Sequence, residues 1–291
     1  MSDRSALSAN RIRRAGGFLV GMLLFYAPFA LLIRLVAFLA PATAPGRTIS
    51  DVHTACLRMP IGWLSMPWMW PSLSDNPFSW LPLLVLPLVA LVAGPLFCGW
   101  LCPAGAVPEY LGRLVPDRFK FDFKGRVDIV GLRYGFFIGF LLAPFITASV
   151  CCALCNFSHM QSLISAATGD PVALIYISTM GVIGMVLWLI VLGAFTLGGR
   201  GWCLFLCPAG TAMALVSALT RRLPFSLRVR EDPSACQACG CCSSVCSMRA
   251  LKVNEGSSAA VEHHLCISCL DCVNACPSGA LRYGRIKDGV R

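Results

Sequence analysis

Charge is scarce in this chain. Only 13% of its 291 residues are Asp, Glu, Lys or Arg, about half the usual ~25%. The 14 acidic residues are outnumbered by 24 basic ones, and there are four histidines: His53, His159, His263 and His264. Each shortage excludes something. With 57% hydrophobic residues and a mean hydropathy of +0.71, the chain is too apolar for an ordinary soluble domain. No histidine lies inside a long apolar run, so a haem held by two histidines within a bilayer is not supported. A G-x-G-x-x-G fingerprint and a phosphate-binding loop are both missing, so direct NAD or ATP binding is not expected. The net charge of +10 comes without a nucleic-acid motif or aromatic–basic interleaving, which removes nucleic acid as a partner.

What is present is apolar length. Four runs suffice to cross a hydrocarbon core of ~30 Å: Phe18–Ala40, Trp80–Phe97, Leu132–Val150 and Val172–Leu197. The stretch Ala209–Leu219 is too short and is expected to be interfacial. The first run exceeds a signal-peptide core of roughly 7–15 residues, which favours an uncleaved anchor. Basic residues set the orientation. Arg4, Arg11, Arg13 and Arg14 precede the first run, and Arg113, Arg118, Lys120, Lys124 and Arg126 follow the second. Eleven more Lys or Arg follow the fourth, whereas segment 41–79 has only Arg47 and Arg58 and segment 151–171 has none. Both termini are therefore expected in the cytoplasm of a bacterial inner-membrane protein. Trp63, Trp68, Trp70 and Trp80 crowd the opposite face as an aromatic belt. The expected architecture is an α-helical membrane protein of four transmembrane helices with a C-terminal α+β domain. Its parts are a basic cytoplasmic tail (1–17), the helical membrane domain (18–220) and a cytoplasmic domain (221–291).

The 17 cysteines are grouped. Cys236-x2-Cys239-x2-Cys242-x3-Cys246 is followed by Cys266-x2-Cys269-x2-Cys272-x3-Cys276-Pro277, the spacing of a two-cluster bacterial ferredoxin. Three cysteines of such a run wrap one [4Fe-4S] cluster and the fourth reaches the other. One cluster is thus expected on Cys236, Cys239, Cys242 and Cys276, and the second on Cys266, Cys269, Cys272 and Cys246. Two features depart from the pattern: Ser247 stands where Pro is usual, and Cys241 fits no ligand position. Zinc sites rarely carry this paired rhythm, and a disulfide scaffold needs an oxidising compartment, contrary to the expected topology. His263 and His264 are expected to be exposed or to tune the second cluster.

A repeat lies upstream. Phe97-Cys98-Gly99-Trp100-Leu101-Cys102-Pro103-Ala104-Gly105 recurs as Trp202-Cys203-Leu204-Phe205-Leu206-Cys207-Pro208-Ala209-Gly210, each copy after an apolar run. On a helix, Cys-x3-Cys places both sulfurs on one face. Cys98, Cys102, Cys203 and Cys207 therefore form a candidate second metal, cluster or redox-thiol site near the inner face. The alternative is packing, with Cys acting as a small apolar residue. Cys151, Cys152 and Cys155, with His159 after them and His53 and Cys56 in the other outer segment, form a candidate outer site. Asn156 stands where covalent haem attachment would need His.

The basic tail, four apolar runs, two Cys-x3-Cys-Pro motifs and terminal ferredoxin pattern together resemble the NapH/MauN family of ferredoxin-type membrane proteins, over nearly the full chain. Related types are the nitrous-oxide regulators and the cytochrome-oxidase maturation proteins. The resemblance implies two [4Fe-4S] clusters and a quinol dehydrogenase-type subunit, with a quinone bound between spans. Such a subunit would relay electrons between the quinone pool and a periplasmic or membrane redox partner. It also implies an alternative, a maturation factor supplying electrons or metal to a periplasmic or membrane metalloenzyme or quinoprotein. It assigns no role to Cys151, Cys152 or Cys155.

Overall fold

In each repeat the second cysteine precedes Pro-Ala-Gly, and the chain changes direction there for a local reason. Proline lacks an N–H and has φ fixed near −65°, which suits the first position of a helix. Cys102 (φ −86°, ψ 101°) and Cys207 (φ −79°, ψ 107°) are the extended residues before two 12-residue helices. The computed structural model describes residues 4–26, 29–39, 59–71, 80–147, 155–169, 179–253 and 258–285. Its principal helices are α1 (Arg4–Phe25), α2 (Leu31–Leu39), α3 (Met59–Leu64), α4 (Trp80–Ala93), α5 (Pro103–Leu114), α6 (Ile129–Thr147) and α7 (Asn156–Ala167). They continue with α8 (Thr179–Val186), which runs into a π-helical stretch Leu187–Ala194, then α9 (Gly201–Phe205) and α10 (Pro208–Leu219). In the C-terminal part, β1 (Arg228–Glu231) pairs antiparallel with β4 (Leu281–Gly284), and β2 (Leu251–Lys252) with β3 (Ala260–Val261). The one-turn helices α11 (Cys241–Ser244) and α12 (Asp271–Asn274) complete it.

The two repeats pack crosswise. Helix α10 lies against α4, while α5 lies against Leu187–Ala194. Each post-cysteine helix therefore covers the apolar helix of the other repeat. Trp188 is wholly buried and its Nε1–H donates to Ala104 O at 2.9 Å.

Several elements differ from the sequence expectation. Among the described residues one helix is long and apolar enough to cross a bilayer, Ile129–Ile146, with a mean hydropathy of 1.9; Leu83–Ala93 and Gly181–Ala194 are shorter apolar helices. The run Phe18–Ala40 is split between α1 and α2, with Ala30 at φ 41° before α2. Helix α1 begins well before the apolar run because residues of the basic tail are held inside: Asn10 and Arg14 are buried. Arg133, near the start of the third apolar run, is also buried; its Nε–H donates to Thr211 Oγ1 (3.1 Å) and its Nη1 to His264 O (2.8 Å). Helix α10 buries Thr211, Met213, Ala214 and Ser217. Positions 148–150 of the third run and 172–178 of the fourth lie outside the described residues.

The C-terminal domain is bonded to the end of α4. A helix leaves its last four carbonyls unpaired, and here the domain supplies their donors. Arg228 Nη2 reaches Ala90 O (2.7 Å) and Leu91 O (3.0 Å), Leu227 N reaches Val92 O (2.7 Å), and the Tyr283 hydroxyl reaches Ala93 O (2.6 Å). Tyr134 Oη and His264 Nδ1 are 2.7 Å apart, so His264 docks the domain onto α6. Burial, reinforced by Arg221, Arg230 and Arg228, pushes the His263 pKa down to about 4 and keeps that ring neutral.

A buried ionic network closes the seam. Glu109 Oε2 accepts from Arg14 Nη2 (2.9 Å) and Arg200 Nε (2.5 Å), and its Oε1 accepts from Arg113. Arg14 Nη1 also donates to Asp271 Oδ2 at 2.7 Å, and Asn10 Nδ2 to Asp271 Oδ1 at 2.6 Å. Burial by itself would raise the Glu109 pKa, but Arg200, Arg14 and Arg113 hold it at about 2 against an ordinary 4.5. Because the folded value is depressed, this stabilisation is complete above about pH 4.5 and is lost as pH falls towards 2. Glu109→Gln leaves buried guanidinium groups without their counter-charge and is expected to cost ~3–5 kcal/mol at neutral pH. It should also remove this carboxyl's share of the acid sensitivity between those pH values. Denaturant unfolding of both proteins across that window checks both effects, and equal neutral-pH stability would contradict the assignment.

Candidate iron–sulfur and thiol sites

Two small cavities in the C-terminal domain are each walled by four cysteines. Cys236, Cys239, Cys242 and Cys276 line one; Cys246, Cys266, Cys269 and Cys272 line the other. The last cysteine of each run thus crosses to the other cavity. The backbone repeats as well. Ala238 (φ 51°) and Gly240 (φ 73°) in the first run match Ser268 (φ 52°) and Leu270 (φ 64°) in the second. Non-glycine residues in this left-handed region cost roughly 1–2 kcal/mol each, and here they turn the chain around a cavity. Cys241 lines neither cavity and begins α11.

These walls fit iron–sulfur clusters. Backbone N–H groups point at the sulfurs, from Ala259 to Cys236 (3.4 Å), Ala250 to Cys246 (3.3 Å) and Ser268 to Cys266 (3.4 Å), the kind of contact that tunes cluster thiolates. Burial pushes Cys266 up to about 11 and Cys269 up to about 12. Thiols this dry ionise when a metal supplies the opposing charge. Among the described residues no three or more His, Cys, Asp or Glu side chains converge as a single metal ion requires.

The second cavity faces the repeats. Gly99, between Cys98 and Cys102, abuts the Cys269 loop: a Cβ there would lie 2.5 Å from Ile267 O and 3.2 Å from Cys269 Cα. Trp100 Nε1 donates to Ser268 O (3.1 Å), Asn10 Nδ2 to Cys269 O (3.1 Å), and Arg14 Nε to Gly99 O (3.0 Å). Cys98 and Cys203 pack against the same core as Cys246, Cys266 and Cys269.

The four repeat cysteines fall in two packed groups, Cys102 with Cys207 and Cys98 with Cys203, near enough for each to disfavour ionisation of the others. Burial and then Cys102, Cys207 and Cys203 push the Cys98 pKa well up. Burial raises Cys102 to about 11 and Cys203 to about 12, against the pull of Arg200 on both. Arg200 Nη1 donates to Cys98 O at 2.7 Å. The repeats meet through glycine: a Cβ on Gly105 would lie 2.8 Å from Arg200 Nη1 and 3.3 Å from Cys203 Sγ. Gly210 N donates to Cys207 Sγ at 3.4 Å.

Of the candidate outer group, Cys155 and His159 are among the described residues. Cys155 is buried in one core with Tyr26, Trp188 and Trp202, and Cys102 and Cys207 pack against that core. His159 is buried on α7 and stacks on Trp188, with centroids 6.2 Å apart. Cys151, Cys152, His53 and Cys56 lie outside the described residues. The carboxylates Glu109 and Asp271 were not foreseen, although a lone Glu in the apolar stretch 76–116 was a usable signal. Gly99→Val overfills the seam, with an expected cost of ~1–3 kcal/mol. A lower unfolding temperature and faster proteolysis of the C-terminal domain should follow, and an unchanged protein would show that the contact is loose.

A family model described as a 4Fe-4S binding domain matches residues 76–122 and again 180–226, one match around each Cys-x3-Cys-Pro motif. A second model of the same description matches 260–282. The ferredoxin-type protein NapH of Haemophilus influenzae is 26% identical over 204 residues, covering 67% of this chain and 63% of that protein. YccM of Escherichia coli is 27% identical over 199 residues, covering 65% and 51%. The methylamine utilization ferredoxin-type protein MauN of Methylorubrum extorquens is 28% identical over 175 residues, covering 56% and 51%. The chain therefore spans between about half and two thirds of these relatives' lengths. No solved structure matches it. A cluster-binding signature falls on both repeats and on the terminal cysteines, and the chain is similar to the ferredoxin-type proteins NapH and MauN, which supports an iron–sulfur electron-transfer protein of ferredoxin type.

Proposed function

We propose that the chain is a membrane-embedded subunit of quinol dehydrogenase type, linking the quinone pool to a periplasmic or membrane redox partner. The observation that carries this reading is the contact of Gly99 with the Cys269 loop. It sets a cluster-type cavity against the repeat cysteines. In this reading the four apolar runs cross the inner membrane and both termini are cytoplasmic, supported by the asymmetry of Lys and Arg.

Cys236, Cys239, Cys242 and Cys276 hold one [4Fe-4S] cluster, and Cys246, Cys266, Cys269 and Cys272 hold the other. When bound, the clusters supply one-electron transfer. The chain's own residues do the positioning. Glu109 and Asp271 fix Arg14, Arg14 fixes the Gly99 carbonyl, and Asn10 fixes the Cys269 carbonyl. Cys98, Cys102, Cys203 and Cys207 form a further thiol-ligand site beside them, supported by the family match over both repeats. The alternative is a maturation factor, a reading that leans on thiols at the outer face.

The test is anaerobic EPR of the purified full-length protein with iron and sulfide quantified, before and after adding a reduced quinol. About eight iron atoms per chain, four per cubane, with signals that grow on quinol addition, are expected. Iron beyond that which disappears in Cys98→Ser would assign the repeat site. Signals that answer only to strong low-potential reductants would overturn the quinol role.

A further inference from the structure

Where the helical part meets the C-terminal domain, Arg14, Arg133, Arg200, Arg228 and Arg230 are buried. Arg11, Arg113 and Arg249 pair there with Asp271, Glu109 and Asp122. Arg118, Arg126, Arg221 and Arg222 do neither: they are exposed and make no ion pair with a described carboxylate. They fall in two loops, one between α5 and α6 and one after α10.

Hydrogen bonds put both loops at one level of the fold. In the first, Phe121 N donates to Phe195 O (2.8 Å), just past the π-helical stretch Leu187–Ala194, and Phe121 O accepts from Leu197 N (3.0 Å). On its other side, Asp122 Oδ2 accepts from Arg249 Nη2 of the C-terminal domain (2.6 Å). In the second, Arg228 Nη2 bonds both Thr220 Oγ1 (2.8 Å) and Ala90 O near the end of α4 (2.7 Å), and Arg230 Nη2 reaches Arg221 O (3.0 Å). Each loop is thus tied to the end of an apolar helix and to the C-terminal domain. The neighbours of the four arginines are apolar and open: Leu114 is 80% exposed and Leu219 73%, and Phe119, Phe121 and Phe225 are exposed as well. The Arg118 guanidinium stands 4.7 Å from the centre of the Phe119 ring.

We propose that the two loops form a collar that lies in the headgroup layer of the cytoplasmic leaflet and binds anionic phospholipid. The proposal rests on the reading that the apolar runs cross a bilayer. Large exposed Leu and Phe side chains beside guanidinium groups are the composition of a segment that buries its apolar part at the acyl boundary and keeps its charge among headgroups. Charge selects the lipid. The four guanidinium groups lack a protein carboxylate, and an anionic headgroup brings a phosphate with no cation of its own. A zwitterionic headgroup carries its own counter-charge. Because both loops bond to the C-terminal domain, the collar also sets the depth at which that domain hangs below the membrane.

Lipid EPR tests the collar. The full-length protein is reconstituted in phosphatidylcholine bilayers with a trace of spin-labelled phosphatidylglycerol or spin-labelled phosphatidylcholine, and the motionally restricted fraction of each label is measured. Phosphatidylglycerol is expected to be held about fivefold more strongly, the factor that one arginine contributes near an anionic surface. The combined variant Arg118→Gln, Arg126→Gln, Arg221→Gln and Arg222→Gln should bring the two lipids to parity, as should ~1 M salt, where the screening length is about 3 Å. Arg282→Gln, exposed on β4 outside the collar, should keep the preference, and unchanged iron content shows that the variants are folded. Restriction of both lipids without preference, or a preference that the combined variant keeps, would overturn the collar and leave the spans in place. No restricted lipid of either kind would overturn the membrane reading and the collar with it.

Discussion

Glu109 is the point through which four separate stretches of chain are joined. It sits on α5, accepts from Arg14 of α1 and from Arg200 at the entry to α9, and through Arg14 reaches Asp271 of the C-terminal domain. Its side chain and those of Arg14, Arg200 and Asp271 are at most 1% exposed. Buried charges persist only when paired and hydrogen-bonded, so these four constrain one another. If one element moves, a charge is stranded. Such a network is weak evidence of net stability compared with an apolar core. What it supplies is register: α1, the first repeat, the second repeat and the Cys269 loop have one arrangement that satisfies every member.

That register matters because the cysteine sites are assembled from pieces that share no local sequence. The repeat thiols come together only if α5 packs on the helix of the second repeat and α10 on the helix of the first. The crossing depends on the absence of side chains, since Gly105 leaves room for Arg200 and Cys203, and Gly99 for the Cys269 backbone. The same glycines bring backbone carbonyls within reach of buried arginines, as with Arg14 on Gly99 O and Arg200 on Cys98 O. Packing and electrostatics therefore use the same few positions.

The ferredoxin spacing and the repeat were legible from the chain because their information is local: eight cysteines at fixed intervals, and a nine-residue motif written twice. The helix start at each Cys-Pro step was likewise legible, since proline geometry decides it. The early start of α1 was not. Hydropathy assigns Arg11 and Arg14 to water, and their burial follows from Glu109 and Asp271, which are far away in sequence. The burial of Arg133 was not legible for the same reason, its partners Thr211 and the His264 carbonyl being supplied by later elements. The packing of Cys155 in one core with Cys102 and Cys207 was hidden too, because apolar runs do not say which loop residues meet.

In a chain with so little charge, the burial of Arg14, Arg133, Arg200, Arg228 and Arg230 follows a common logic. Arg228 fills the carbonyl end of α4, Arg133 and Arg200 stand over the repeat thiols, and Arg14 stands by Cys269. Guanidinium groups suit these places because they remain charged when buried and offer five donors in a fixed fork. The nearby carboxylates, Glu109 and Asp271, do not fully offset Arg11, Arg14, Arg113 and Arg200. The seam thus carries surplus positive charge in a low-dielectric setting, where charge acts strongly. A thiolate-held centre that gains an electron gains negative charge, and that form is favoured there over the same centre in a neutral protein. The basic residues that orient a membrane protein at its surface are, in this fold, partly turned inward to set the field around sulfur.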